Sequence, residues 1–278
     1  MTNINRINTR LAQLKTDKRT ALIPYITAGD PEPNATLELM KLMVAEGADL
    51  IELGVPFSDP MADGPVIQKA VERALKHNMS LRQVLSIVKQ FRETDNETPV
   101  LLMGYLNPIE AMGFEYFAQQ AEQAGLDGVL TVDMPPEETA GYTELLTKHN
   151  LERVFLVSPT TPESRLKAVS EQGSGFVYYV SLKGVTGTGK LDAGNVKTQV
   201  ELLKKQVNLP VGIGFGIRDA ESAYQMAQVG EAVIIGSALV SFIEQHQQEG
   251  LSAIKQALTK QMRVFRHALD QADKGEIL

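Results

Sequence analysis

Eight apolar runs of strand length recur along this chain, each followed by a helical pattern. The runs span residues 21–27, 50–55, 100–106, 128–132, 154–157, 176–182, 211–215 and 232–235. They are nearly continuous in apolar residues rather than cleanly alternating, which is the pattern of parallel strands covered on both faces. Between them lie amphipathic stretches at 34–46, 81–93, 114–124, 137–149, 163–171, 196–206 and 220–228. Ser80, Pro162 and Asp219 stand where helices begin, and Gly47, Gly125, Gly173 and Gly230 follow helices as C-terminal caps do. Eight β-then-α units within 278 residues predict one closed (β/α)8 TIM barrel of the α/β class, rather than an open doubly wound sheet. No linker, low-complexity segment or long charge run divides the chain, so residues 1–278 read as a single domain. An extra polar helix at the N-terminus would cover the barrel bottom, and 251–269 would close the outer ring of helices.

Charge and composition remove several function classes. A net charge of −7 offers no basic face for nucleic acid or an anionic membrane. The absence of cysteine excludes disulfides, thiol chemistry and thiolate metal sites. The first residues lack the apolar core of a signal peptide, and no apolar run reaches about 18 residues, so a cytoplasmic protein is expected. His77, His149, His246 and His267 all fall in or at the ends of helical stretches, away from strand tops. A metal needs convergent ligands, so none is expected.

The second strand carries a carboxylate. Along 50–55, Leu50, Glu52 and Gly54 share one face, while Ile51, Leu53 and Val55 share the other. The all-apolar set suits the helix-facing side, which turns Glu52 into the barrel near its top. Active sites of this fold lie at the C-terminal ends of the strands. A Pro-punctuated loop then presents Asp59 and Asp63. Two acids from different backbone segments suit general acid–base work on one substrate. The alternative is a buried structural acid with aspartates that cap turns. An unpaired carboxylate inside the barrel would be desolvated, which raises its pKa and lets it deliver a proton near neutral pH.

Three glycine-rich strand exits occur late in the chain: Lys183-Gly-Val-Thr-Gly-Thr-Gly189, Gly212-Ile-Gly-Phe-Gly-Ile217 and Gly236-Ser237. Any one of them alone reads as tight corners. Three at adjacent strand ends point to a phosphate cradle of backbone N–H groups. Gly184-Val-Thr-Gly-Thr-Gly-Lys-Leu191 nearly spells a P-loop, but Leu191 replaces the hydroxyl that would hold Mg²⁺. Residues 183–193 read instead as a mobile lid. Inward parity on the other strands gives Tyr25, Met103, Leu130, Tyr178 and Phe215, a flat apolar and aromatic lining. The implied substrate has a hydrophobic ring at one end and a phosphate at the other.

These residues carry a resemblance. Over essentially its whole length the chain resembles the tryptophan synthase alpha-subunit family. The specific motif is Leu50-Ile-Glu-Leu-Gly-Val-Pro-Phe-Ser-Asp-Pro-Met-Ala-Asp-Gly-Pro65. Tyr25-Ile-Thr-Ala-Gly-Asp-Pro31, Leu102-Met-Gly-Tyr-Leu-Asn-Pro108, Asp133-Met-Pro135, Gly184-Val-Thr-Gly187, Gly212-Ile-Gly-Phe-Gly-Ile217 and Gly236-Ser237 support it. The resemblance implies a lyase that splits indole-3-glycerol phosphate into indole and glyceraldehyde 3-phosphate by retro-aldol cleavage. Glu52 aligns with the family's catalytic acid/base and Asp63 with the loop aspartate that holds the indole N–H. Thr186 aligns with a lid threonine that orders Asp63. Gly187, Gly216, Gly236 and Ser237 align with the phosphate cradle, and Pro56 and Asp59 with the surface that meets a beta subunit. The resemblance further implies an alpha2-beta2 complex, no cofactor in this subunit, and pyridoxal phosphate in the beta partner. The chain departs from the family at Tyr25, where Phe is frequent, and Lys183 precedes Gly-Val-Thr-Gly at a position not fixed in the family.

Three rivals follow from the residues. A Schiff-base lysine would have to be Lys183, but Tyr178, Val180 and Leu182 share the inward face and Lys183 falls on the other. A metal enzyme lacks convergent histidines. A catalytically dead activator is at odds with intact Glu52 and Asp63.

Overall fold

The structure, a computed structural model, describes residues 5–180, 193–214 and 216–278. Its strands are β1 (Ala21–Thr27), β2 (Ile51–Gly54), β3 (Val100–Gly104), β4 (Gly128–Thr131), β5 (Glu152–Arg153), β6 (Phe155–Val157), β7 (Val177–Val180), β8 (Val211–Gly214) and β9 (Ala232–Ile235). They hydrogen-bond in the order β5-β4-β3-β2-β1-β9-β8-β7-β6, every pair parallel. The two ends of that order, β5 and β6, are separated in the chain by Val154 alone. Its N–H donates to the Val129 carbonyl at 3.0 Å. One chain segment therefore pairs with β4 through its first half and with β7 through its second. The nine strand segments are thus eight barrel strands, and the ring of the expected TIM barrel closes across Val154.

The helices are α1 (Arg6–Asp17), α2 (Pro33–Ala45), α3 (Pro65–Leu75), α4 (Leu81–Arg92), α5 (Leu106–Met112), α6 (Phe114–Ala124), α7 (Tyr142–Lys148), α8 (Glu163–Gln172), α9 (Ala193–Leu203), α10 (Ala220–Ala227), α11 (Ser237–His246) and α12 (Leu251–Lys274). Ser80 and Asp219 are N-caps with reciprocal capping boxes to Gln83 and Ser222, and Pro162 is the N-cap of α8. The stretch 137–149, expected as one helix, is two pieces. A 3-10 turn at Pro136–Glu138 is separated from α7 by Thr139–Gly141, with Gly141 at φ +80°. The caps also divide. Gly47 and Gly125 take positive φ, as left-handed caps require. Gly173 is extended (φ −71°, ψ 157°), and both it and Gly230 admit close neighbours instead: a Cβ would meet the Val169 carbonyl at the first and Ile213 at the second.

Strand alternation sorts the apolar residues into two cores. Ile51, Leu53, Val129, Val177, Ile213 and Val233 face outward into the layer beneath the helices. Leu50, Leu101, Leu130, Phe176, Tyr178 and Ile234 face inward. The inner core needs a floor, and α1 supplies it with Ile7, Leu11 and Leu14, which pack into the same cluster. Burying such side chains contributes roughly 1.5–3 kcal/mol each. Polar ties fix the floor in place. Arg6 pairs with Asp127 at 2.9 Å and Arg10 with Asp49 at 2.6 Å. Asp49 also receives Arg19, Arg266 and the Leu22 N–H, so no buried oxygen on it is idle. With the bottom sealed, chemistry is left to the top.

Candidate active site

Parallel register places the inward side chains in rows. Tyr25, Glu52 and Leu101 are Cα partners on β1, β2 and β3, and Thr27, Gly54, Met103 and Leu130 form the next row up. Gly54 is required there by space. A Cβ would overlap the Tyr25 hydroxyl and ring. The same holds across the barrel, where a Cβ on Gly214 would overlap the Tyr178 ring and hydroxyl. Two tyrosines therefore lean across neighbouring strands, each over a glycine. The Tyr25 hydroxyl lies 3.2 Å from Thr27 Oγ1.

Glu52 sits beneath this aromatic layer and is 1% exposed. Neither carboxyl oxygen has a hydrogen-bond partner among the described residues. The buried acids of the barrel bottom are each engaged, Asp49 and Asp127 by arginine and backbone N–H and Glu152 by the Asn8 amide, so Glu52 stands apart from them. An ionised carboxylate in that position loses its hydration without compensation. Burial, and secondarily the nearby Asp63 charge, push its pKa up to about 8. That shift favours the protonated form at neutral pH, and no acceptor for the proton is present among the described residues, which is the condition a general acid requires.

Asp63 lies on the loop between β2 and α3. Its Oδ2 accepts from the Tyr105 hydroxyl at 2.9 Å, and that hydroxyl accepts from the Ala62 N–H at 3.0 Å. The Asp63 carbonyl accepts from Gln68 Nε2 at 2.8 Å, and its N–H donates to the Pro60 carbonyl at 3.1 Å. The loop is thus tied at both ends. Burial raises the Asp63 pKa, and the Tyr105 bond lowers it again. Tyr105 is itself placed by its neighbours. Its ring packs against Phe57 with centroids 5.3 Å apart, and the Leu106 N–H that follows donates to Asp133 Oδ1 at 2.8 Å.

Tyr105, Thr27 and Gln68 are absent from the sequence-based candidates. Parity contains two of them: Tyr105 follows Leu101 and Met103 on the inward face, and Thr27 follows Tyr25. Gln68 gave no such signal, because its role depends on α3 starting at Pro65.

The glycine exits resolve differently from one another. Gly212 and Gly214 lie within β8 and serve packing, since a Cβ on Gly212 would meet Ile234 and Phe176 at 2.9 and 3.0 Å. Gly216 leaves the strand with φ +78°. Gly236 is the N-cap of α11 and has neither positive φ nor a clash. A Cβ there would make only ordinary contacts, with the nearest atom, Tyr25 Cβ, at 3.6 Å. Ser237 is exposed at the first turn of α11. Lys183, Thr186, Gly187 and Phe215, with most of the expected lid, lie outside the described residues. Pro56 is buried and Asp59 exposed at the loop surface. Among the described residues no cluster of histidine or acidic side chains could hold a metal ion. No helix among them is long and apolar enough to cross a membrane.

Comparison with known proteins agrees with this geometry. Residues 11–270 match the family model described as tryptophan synthase alpha chain. The tryptophan synthase alpha chain of Hydrogenovibrio crunogenus is 62% identical over 270 residues, covering 97% of this chain and 99% of that one. That of Marinobacter nauticus is 57% identical over 267 residues, covering 96% and 98%. The crystal structure of tryptophan synthase subunit alpha from Legionella pneumophila superposes with a TM-score of 0.91 at 46% identity, covering 96% of this chain and 99% of that one. The chain therefore belongs to the tryptophan synthase alpha chain family, the carbon–carbon lyases that cleave indole-3-glycerol phosphate in tryptophan biosynthesis.

Proposed function

We propose that Glu52 and Asp63 divide the chemistry of this cleavage between them. The observation that carries the reading is the carboxyl of Glu52, buried, without a hydrogen-bond partner among the described residues, and with its pKa raised to about 8. In its protonated form Glu52 delivers the proton to indole C3. That step places positive charge on the ring nitrogen, whose N–H donates to the Asp63 carboxylate. Glu52, now a carboxylate, takes the hydroxyl proton of the adjacent glycerol carbon as the carbon–carbon bond breaks. Indole and the aldehyde of glyceraldehyde 3-phosphate leave, and Glu52 ends protonated as it began. Asp63 works electrostatically, and must stay ionised to do so.

The remaining roles follow the pocket. Tyr25, Met103, Leu130, Tyr178 and Phe215 enclose the indole. Gly216, Gly236, Ser237 and Gly187 receive the phosphate, the first turn of α11 adding its free N–H groups. What supports Gly236 in that role is that neither its φ nor its neighbours demand glycine. Thr186 takes the part that the family resemblance gives it, the ordering of Asp63. The chain needs no cofactor for this reaction.

The family implies a beta-subunit partner. We place that contact on the loop carrying Asp59, with exposed Met61 beside it and Pro56 supporting the loop from beneath. The assembly is read as alpha2-beta2, cytoplasmic, with pyridoxal phosphate held by the beta partner.

Glu52→Gln tests the assignment. Indole release should fall on the order of 10²–10⁴-fold with the fold intact, and Asp63→Asn should behave similarly. Retention of more than about a tenth of the activity by Glu52→Gln would overturn its role.

A further inference from the structure

We infer that Arg73 is a positioning residue for the cleavage. It clamps the helix attached to Asp63 against the helix that opens at the phosphate cradle, and so sets the span between the two ends of the site. The inference rests on the site reading above and adds a residue that touches neither end.

Arg73 lies in α3. Its Nε and Nη2 donate to Asp30 Oδ1 and Oδ2 at 2.6 and 2.9 Å, and the Asp30 side chain is wholly buried. Its Nη1 lies 3.7 Å from Glu244 Oε1 on α11. Lys69 of α3 reaches the same oxygen at 3.3 Å, but that lysine is largely exposed and adds little. A two-pronged guanidinium–carboxylate pair fixes direction as well as distance. As a source of net stability a buried ion pair is weak. Its particular contribution here is geometric.

Each partner reports to a different part of the site. Asp30 follows β1, where the Ala28 N–H donates to the Gly54 carbonyl at 2.9 Å. That is the point at which β2 releases the chain into the Asp63 loop. Helix α3 begins two residues after Asp63 and holds its carbonyl through Gln68. Helix α11 starts at Ser237, and Glu244 lies roughly 10 Å further along the same rigid helix. One guanidinium therefore connects the sheet, the acid-bearing loop and the phosphate-facing helix. Misplacing a reacting group by about 1 Å costs up to roughly 10²-fold in rate, so a fractional tilt of α3 is enough to register.

A double-variant cycle on steady-state cleavage of indole-3-glycerol phosphate by the full chain tests this. Arg73→Lys retains the charge but loses the two parallel bonds. It should lower kcat about tenfold, while KM and the inhibition constant of inorganic phosphate stay within about twofold. In an Asp63→Asn background the same change should cost less than about twofold, because Arg73 acts through Asp63. Glu244→Gln, on the half-exposed side of the clamp, should give the same pattern at about threefold, and it carries the test if Arg73→Lys folds poorly. Equal losses with and without Asp63→Asn, or unchanged kcat in both clamp variants, would overturn the inference and leave the site reading standing. Full turnover by Asp63→Asn alone would overturn the site reading, and this inference with it.

Discussion

Tyr105→Phe removes one hydroxyl and, with it, two bonds: the donor to Asp63 Oδ2 at 2.9 Å and the acceptor of the Ala62 N–H at 3.0 Å. The ring stays, still packed on Phe57, so the perturbation is electrostatic rather than steric. A hydrogen bond to a charged group is worth about 1.5–3 kcal/mol. If Asp63 faces the indole cation with that bond in place, kcat should fall about ten- to a hundredfold. The pH profile should move as well. Burial already raises the Asp63 pKa, and the Tyr105 bond is what lowers it. Without the bond the pKa rises further. Asp63 must be ionised to act, and it is protonated below its pKa, so the acid limb of kcat/KM should shift to higher pH. The assay is steady-state indole release across the acid range, with circular dichroism to establish that the fold is retained. Wild-type turnover with an unmoved acid limb would refute the reasoning, since it would leave Tyr105 without influence on Asp63.

Three further outcomes are expected. Gly54→Ala should lower stability by about 1–3 kcal/mol, because the new Cβ displaces the Tyr25 ring. Adding Tyr25→Phe should recover only part of the loss, since the ring carbon Cζ itself lies 2.6 Å from that Cβ position; urea midpoints of the single and double variants measure both effects. Asp49→Asn removes the buried carboxylate that Arg10, Arg19 and Arg266 share at the barrel floor, leaving Arg19 and Arg266 only their pairing with Asp270 and Asp273 at its edge. It should cost about 3–5 kcal/mol yet leave kcat of the folded fraction within about twofold, as urea unfolding and active-site titration would establish. Turnover at saturating substrate should rise when a beta subunit is added, because a partner on the Asp59 surface would press on the loop that bears Asp63; unchanged turnover with a partner that demonstrably binds would contradict this.

The barrel was legible from the eight near-continuous apolar runs, because parallel strands covered on both faces leave that pattern and few others do. What the runs did not reveal was the break at Val154, where one strand serves two ladders. Local composition carries no trace of that division, since it arises from closing the ring. Three helices went unread for separate reasons. Helix α3 begins at Pro65, at the end of a motif whose acids drew the reading away from its helical period. Helix α5 carries Pro108 in its first turn and directly continues an apolar strand. Helix α11 has Gly236 as its N-cap, with no side-chain cap to announce it. The inward placement of Glu52 came from parity alone, and the same parity would have yielded Tyr105. The role of Arg73 was out of reach, because it requires knowing that residues 30, 73 and 244 meet.

The central claim is that Glu52 holds its proton at neutral pH because it is buried and no described residue hydrogen-bonds its charge. The direct measurement is the titration of that carboxyl in the folded chain, by infrared difference between the native protein and Glu52→Gln. The account predicts a protonated band through pH 7, lost with a midpoint near 8. It also predicts that kcat/KM declines through the same range, since the proton donor disappears as pH rises past its pKa. A carboxyl already ionised in the ordinary glutamate range, around pH 4–5, with cleavage undiminished up to pH 9, would contradict it.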